Sequence, residues 1–311
     1  MKKSIRIISI LFGILLLAVL VMGIRFGMAF SQVARESRAA ISPVQFELGT
    51  TKSVTILPLF EEAVSAPDLH SEHGVSYLIQ TDQQTVLMDV GNNMENAFPF
   101  PLDENMGKLG VSAMDMDSLV ISHNHPDHVG GMKAWQSDTF SAPGGRTDLS
   151  DLPIFVPTAL TYPGSLPLIA DKPIKISEGI ASIGSQSFVQ PFPIWVGNLV
   201  GQEQSLVVNV EGKGLVVITG CGHPGVERIV ARAESLFGSP VVGVVGGLHY
   251  MGMSTEKVQP HLDFIRSLQP SLVALSPHDS DPSAIELFRT AFMDAYQEIQ
   301  VGREIHFPIV E

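Results

Sequence analysis

The sequence predicts a layered α/β protein: two sheets packed against each other, helices outside, and a hydrophobic helix at the N-terminus. Three observations predict it. Short apolar runs rich in Val and Ile, bounded by Gly, Pro, Asn or Asp, recur from residue 54 to residue 276. The early runs follow one another directly, whereas the later ones alternate with stretches of helical period, an order that suits two stacked sheets. Residues 7–24, IISILFGILLLAVLVMGI, contain no charge at all.

That first run is long enough to matter. At about 1.5 Å per residue it makes roughly 27 Å of helix, close to a bilayer core of about 30 Å. Lys2, Lys3 and Arg6 precede it and Arg25 closes it, which favours an N-terminus on the cytoplasmic side. It exceeds the usual core of a signal peptide, about 7–15 residues. Two fates follow, an uncleaved anchor or a signal removed near Gly27-Met28-Ala29, and both place the rest of the chain outside the cytoplasm. No Cys lies nearby, so lipidation there is excluded. The expected organisation is an anchor or signal over 1–29, a polar tether over 30–51 and a catalytic body over 52–311.

The strands are expected at 54–59, 75–80, 85–90, 119–122, 154–157, 206–210, 215–219, 241–245 and 272–276. Helices are expected at about 129–137, 225–237, 255–268 and 282–297, the last with Pro282 at its start, where proline is tolerated. In the third, Val258, Leu262, Ile265 and Leu268 share one face. Residues 140–200 are rich in Pro, Gly and Ser, with Tyr162, Phe188, Phe192 and Trp195 interspersed, and read as loops and short strands around a pocket mouth.

Charge narrows the partners. The chain carries 32 acidic against 19 basic residues, and four of the basic ones lie in the N-terminal segment. The body repels nucleic acid and anionic headgroups, so a small-molecule partner is expected, with the membrane reached only through the N-terminal helix. Cys221 is the one cysteine, so no internal disulfide can form.

The chemistry is concentrated at residues 123–128, His-Asn-His-Pro-Asp-His, directly after an apolar run. Three imidazoles and a carboxylate in six residues form a donor set suited to zinc, manganese or iron. Four further segments also place polar residues at the end of a strand: Asp89 before Gly91, Cys221 and His223 in Gly-Cys-Gly-His-Pro-Gly, His249 after Gly246-Gly247-Leu248, and His278-Asp279. Strand ends that share one sheet edge are where sites in layered α/β proteins commonly lie. No Gly-x-Ser-x-Gly elbow supports a serine nucleophile.

The His-x-His-x-Asp-His sequence, the earlier Leu-x-Asp-x-Gly and the later strand-end histidines resemble the metallo-β-lactamase fold superfamily over roughly residues 52–311. Glu72-His73-Gly74-Val75-Ser76, Gly220 to Gly225 and Gly246-Gly247-Leu248-His249 further resemble one subgroup. It is named for the 7,8-dihydropterin-6-yl-methyl-4-(β-D-ribofuranosyl)aminobenzene 5'-phosphate synthases. The resemblance implies a four-layer αββα sandwich with two divalent metal ions on its edge, zinc first, manganese or iron as alternatives. His123 and His125 would hold the first ion, Asp127, His128 and His278 the second, with Asp89 behind a ligating imidazole. Many relatives supply another first-metal histidine from a preceding loop; here none lies between His128 and His223, which makes His223 the natural third ligand. Cys221 stands where many relatives carry a bridging Asp; ligation and simple packing are both open for it. His249 is open between substrate, metal and core packing. His70 and His73 lie before a strand, open between the rim of the site and the surface, with surface the favoured reading; His261 and His306 read as ordinary residues.

The expected activity is hydrolysis of a small-molecule ester, lactone or phosphoester by a hydroxide shared between two cations, with Asp127 also able to hydrogen-bond the nucleophile. The subgroup's name adds dihydropterin-related transferase chemistry. The alternative is a non-catalytic metal-binding sensor displayed on the cell envelope.

Overall fold

The structure, a computed structural model, describes residues 2–39, 41, 43–44, 46–190 and 198–308. Phe192 and Trp195 lie outside them. The chain opens with helix α1 (Lys2–Ser37). The first sheet takes β1 (Val54–Phe60), β2 (Ser76–Thr81), β3 (Thr85–Met88), β4 (Ser118–Val120), β5 (Ile154–Val156) and β6 (Leu168–Ile169). The second begins with β7 (Ile174–Ser177) and β8 (Ile180–Ser182). A small pair, β9 (Gln186–Val189) and β10 (Val200–Glu203), follows. The second sheet then continues with β11 (Leu206–Val210), β12 (Gly214–Thr219), β13 (Val241–Gly246) and β14 (Leu272–Leu275), and β15 (Ile305–Phe307) returns to the first. The sheet orders are β15-β1-β2-β3-β4-β5-β6 and β14-β13-β12-β11-β8-β7.

Six more helices complete the chain: α2 (Pro101–Leu109), α3 (Pro126–Val129), α4 (Met132–Gln136), α5 (Val226–Phe237), α6 (Thr255–Ser267) and α7 (Pro282–Phe292). The described residues divide into two units, α1 with Ser187–Gly201, and the remainder, which holds both large sheets. In the first unit Ala29, Leu199 and Val200 are buried together with Phe26, Val33 and Val189 against them, and Ser187 hydrogen-bonds Glu36. The apolar face of α1 from residue 7 to residue 20 is exposed.

The layers follow from alternation along the strands. In β12, Val216 and Ile218 face the other sheet, where Ile56, Ile79, Met88 and Val120 meet them. Leu215 and Val217 face the opposite way, onto Val226, Ile229, Val230 and Ala233 of α5 and onto α6 and α7. The outer face of the first sheet takes Leu87, Leu119 and Ile154 against Leu102 and Met106 of α2. Strands buried on both faces read as continuous apolar runs, which is why the sequence marks them so clearly. Helix α5 starts after Gly225 and stops at Gly238 in the left-handed conformation, a common helix end.

Several expectations need correction. The N-terminal helix does not end near Ala29 but runs to Ser37. The following segment is not a free tether throughout, because Leu48 is buried in the core and the Thr51 N–H donates to Asn209. Residues 140–200 do not only surround a mouth: β8 pairs with β11 inside the second sheet. Tyr162 stacks on Phe140 with centroids 5.4 Å apart. Helix α2 was not expected, because its apolar residues, Pro101, Leu102, Met106 and Leu109, are few among polar ones. The expected helix over 129–137 is two short ones, α3 and α4, split at Gly130-Gly131.

Strand direction places the site. β3, β4, β5 and β6 are parallel, and so are β12, β13 and β14. Their C-terminal ends therefore share an edge of each sheet. β2 runs antiparallel to β1 and β3, and β11 antiparallel to β12, so the end of β1 and the starts of β2 and β11 lie on that edge too.

Candidate metal centre

β4 leaves its sheet at Val120 and delivers His123, whose backbone bridges Glu203. His125 is still extended, and Pro126 then starts the one-turn helix α3, which turns Asp127 and His128 away from the direction of His123 and His125. The ends of β12 and β14 deliver Cys221, His223 and His278. Donor atoms gather in two main groups: His123, His125 and His223; and Asp127, His128, Cys221 and His278. Within each, all lie within 4.8 Å of one another. A third group, Cys221, His223 and His249, meets the same criterion, so the Cys221 sulfur belongs to both sides. His123, His128, Cys221 and His278 are buried.

The imidazoles are oriented from behind. Asp89 Oδ2 accepts from His128 Nδ1 at 2.7 Å and from Ser122 Oγ at 2.6 Å, and Oδ1 accepts from the Ser122 N–H at 2.6 Å. With its proton committed to Asp89, Ser122 Oγ accepts from His123 Nδ1 at 2.9 Å. Ser276 donates to Glu61 and lies 2.6 Å from His278 Nδ1. Glu203 accepts from His223 Nδ1 at 2.8 Å and from the N–H groups of Cys221, Gly222 and His223. These partners assign the hydrogens to Nδ1 and turn Nε2 of His123, His128, His223 and His278 towards the centre. His128 Nε2 and His278 Nε2 lie 3.1 and 3.2 Å from the Cys221 sulfur, and His123 Nε2 lies 3.0 Å from His125 Nδ1.

In the first donor group the electrostatics favour lone pairs, whereas at His128 and His278 burial is outweighed by Cys221 and the neighbouring carboxylates, which raise both rings well above the usual imidazole range. Burial holds His123 well below the usual imidazole range, and the neighbouring imidazoles add to it. Burial and the facing His223 bring His125 down to about 4. Burial pushes the Glu203 carboxyl up, but the His223 hydrogen bond and charge and the backbone N–H groups outweigh it and the net shift is down. Imidazole nitrogens converging with a carboxylate and a thiol fit divalent zinc or a similar cation.

Two backbone features support the geometry. Asp89 and His249 are non-glycine residues with φ of 61° and 58°, a strained choice that surroundings must enforce. Asp89 is held by the hydrogen bonds above, and the His249 N–H donates to Asp279 Oδ2 at 2.8 Å. The loops after β12 and β13 also approach closely: a Cβ on Gly247 would meet the Gly220 oxygen at 2.3 Å and Asp279 Oδ2 at 2.4 Å.

All six expected ligands, with Cys221, thus come to one edge. His249 is exposed beside them, its ring 4.6 Å from that of His223. His70 pairs with Glu72, His261 with Glu227 and His306 with Glu304, all away from the donor groups. His73 takes the rim position: its side chain is 40% exposed and Nε2 lies 3.4 Å from Asp127 Oδ2. Glu61 and Glu203 were not anticipated. Their signal was the edge itself: one follows β1, the other precedes β11, and strand direction brings both to the site.

Residues 72–159 match the metallo-β-lactamase superfamily. The 7,8-dihydropterin-6-methyl-4-(β-D-ribofuranosyl)-aminobenzene-5'-phosphate synthase of Methanocaldococcus jannaschii is 23% identical over 84% of this chain and 99% of its own. An uncharacterised protein of the same organism is 26% identical over 63% of this chain and 80% of its own. Among solved structures, a metal-dependent hydrolase of the β-lactamase superfamily superposes with a TM-score of 0.60 at 21% identity, covering 81% of this chain and 98% of that one. The chain has the metallo-β-lactamase fold. The metallo-β-lactamase fold protein YhfI from Bacillus subtilis agrees, with a TM-score of 0.51 at 16% identity over 82% of this chain and 99% of that one. The two donor groups therefore sit on the edge of a metallo-β-lactamase sandwich of the αββα kind.

Proposed function

We propose that the protein is a dinuclear metallohydrolase held at the cytoplasmic membrane by α1, with its sandwich outside the cytoplasm and a small-molecule ester, lactone or phosphoester as substrate. The observation that carries this reading is the convergence of two complete donor groups on one edge. His123, His125 and His223 would hold one cation, and Asp127, His128 and His278 the other, with the Cys221 sulfur between them. When bound, such cations polarise a carbonyl or phosphoryl oxygen and lower the pKa of water towards about 7. The chain's own groups do the rest. Asp89, Glu203 and the Ser276–Glu61 pair hold the imidazoles in one tautomer. Asp127 Oδ accepts a hydrogen bond from the incoming nucleophile, and the exposed His249 touches substrate at the rim.

The named archaeal relative favours dihydropterin-related transfer as one form of this chemistry, but a helix that is apolar from residue 7 to residue 24 favours substrates met outside the cytoplasm. The acidic body argues against nucleic acid as a partner.

Full-length protein in nanodiscs, loaded with zinc and freed of excess, should retain two equivalents per chain; less than one would end the proposal. A hydrolysis panel comparing the wild type with His125→Ala tests turnover, and equal rates in both would leave only the metal-binding sensor. For Cys221, cobalt-loaded protein should show a near-ultraviolet thiolate-to-cobalt absorption that Cys221→Ser abolishes while cobalt remains bound. Absence of that band in the wild type would make Cys221 a packing residue.

A further inference from the structure

Each histidine of the second donor group has an outer partner: Asp89 behind His128, and Ser276 with Glu61 behind His278. Asp127 is the remaining oxygen or nitrogen ligand, and His73 stands behind it. His73 Nε2 lies 3.4 Å from Asp127 Oδ2, and on its other side Nδ1 lies 2.8 Å from Glu62 Oε1. Both carboxylates accept, so the ring presents N–H to each.

The backbone is built to bring His73 there. The Val75 N–H donates to the Asp127 carbonyl at 3.1 Å. Gly74 lies between them with φ of 146°, and a Cβ on it would stand 2.6 Å from that same carbonyl oxygen. Only glycine permits this approach. Asn92 Nδ2 donates to the His73 carbonyl at 2.9 Å, which fixes the residue from the other side. The His73 ring is 5.5 Å from the His278 ring, so it lies beside the second donor group.

We propose that His73, oriented by Glu62, is the positioning residue for Asp127: it holds one carboxylate oxygen so that the Asp127 side chain is presented to a cation in the second group. This rests on the dinuclear reading above. The last torsion of a carboxylate is broad and two-fold, and a fixed N–H behind it narrows that range; outer partners of this kind typically change metal affinity roughly 10–100-fold.

The test uses full-length protein in nanodiscs, stripped of metal and titrated with zinc against a chromophoric chelator. The step belonging to the second group is identified as the one lost in Asp127→Asn. In His73→Ala that step should weaken roughly 10–100-fold while the other stays in place and the metal-free melting temperature is unchanged. His73→Gln, whose amide can donate to Asp127, should recover most of the loss. Wild-type affinity in His73→Ala, or a loss spread equally over both steps, overturns the proposal while leaving the dinuclear reading intact. A wild type that binds no zinc overturns both.

Discussion

His128→Ala is expected to retain one zinc per chain instead of two and to lose turnover by at least about 1000-fold. The His128 ring joins three parts of the centre: Nε2 faces the Cys221 sulfur at 3.1 Å and Asp127 at 3.5 Å, and Nδ1 donates to Asp89. Alanine removes the donor and leaves Asp89 with a buried charge that has lost its imidazole. Metal polarisation of a reacting oxygen is worth several kcal/mol, and at about 1.4 kcal/mol per decade in rate a loss of about 4 kcal/mol gives the stated factor. Metal analysis and the best substrate of the hydrolysis panel read the two effects separately. Two retained zincs with unchanged rate would remove His128 from the centre.

Glu203→Gln is expected to lower the melting temperature by roughly 6–20 °C. Glu203 is buried and accepts from three successive backbone N–H groups and from His223. An amide offers one oxygen where the carboxylate offers two, and sets its own N–H groups against the donors it replaces. Breaking a buried charged pair from one side costs about 3–5 kcal/mol, and in a domain of this size each kcal/mol moves the melting temperature about 2–4 °C. The pH dependence has a definite sign. The folded pKa of Glu203 is lowered, so its stabilisation is complete above the ordinary carboxylate range and is lost as pH falls through the folded value. The wild type should therefore lose more melting temperature on acidification than Glu203→Gln. Parallel curves for the two proteins would show that Glu203 is not the group responsible.

Much of the sandwich was legible because its strands are buried on both faces. Segments such as 215–218 and 241–245 are unbroken apolar runs, and a parallel strand between two layers has no polar alternative. The short edge strands β6 and β7 were not legible, since Leu168 and Ile169 are exposed and β7 is half-buried throughout, so neither carries a burial signal. Helix α2 escaped for a related reason: a few apolar residues suffice for a helix lying on one face of a sheet.

The site divides along the same line. His123, His125, Asp127 and His128 are close in sequence, and a strand followed by a one-turn helix can place them almost without help from the rest of the chain. Local chemistry therefore declared the metal-binding character, and the uncharged run after Arg6 declared the hydrophobic helix. Glu61 and Glu203 have no local pattern, and the short motif around His73 does not say which ligand it meets. All three reach the centre because β1, β2 and β11 run in directions that bring one end of each to the shared edge, and strand direction is fixed by pairing between distant segments. The amino-acid sequence determined by itself which donors exist and that they follow strands. The tertiary structure alone decided which carboxylates stand behind which imidazoles, because hydrogen bonds across sheets depend on register and not on spacing along the chain.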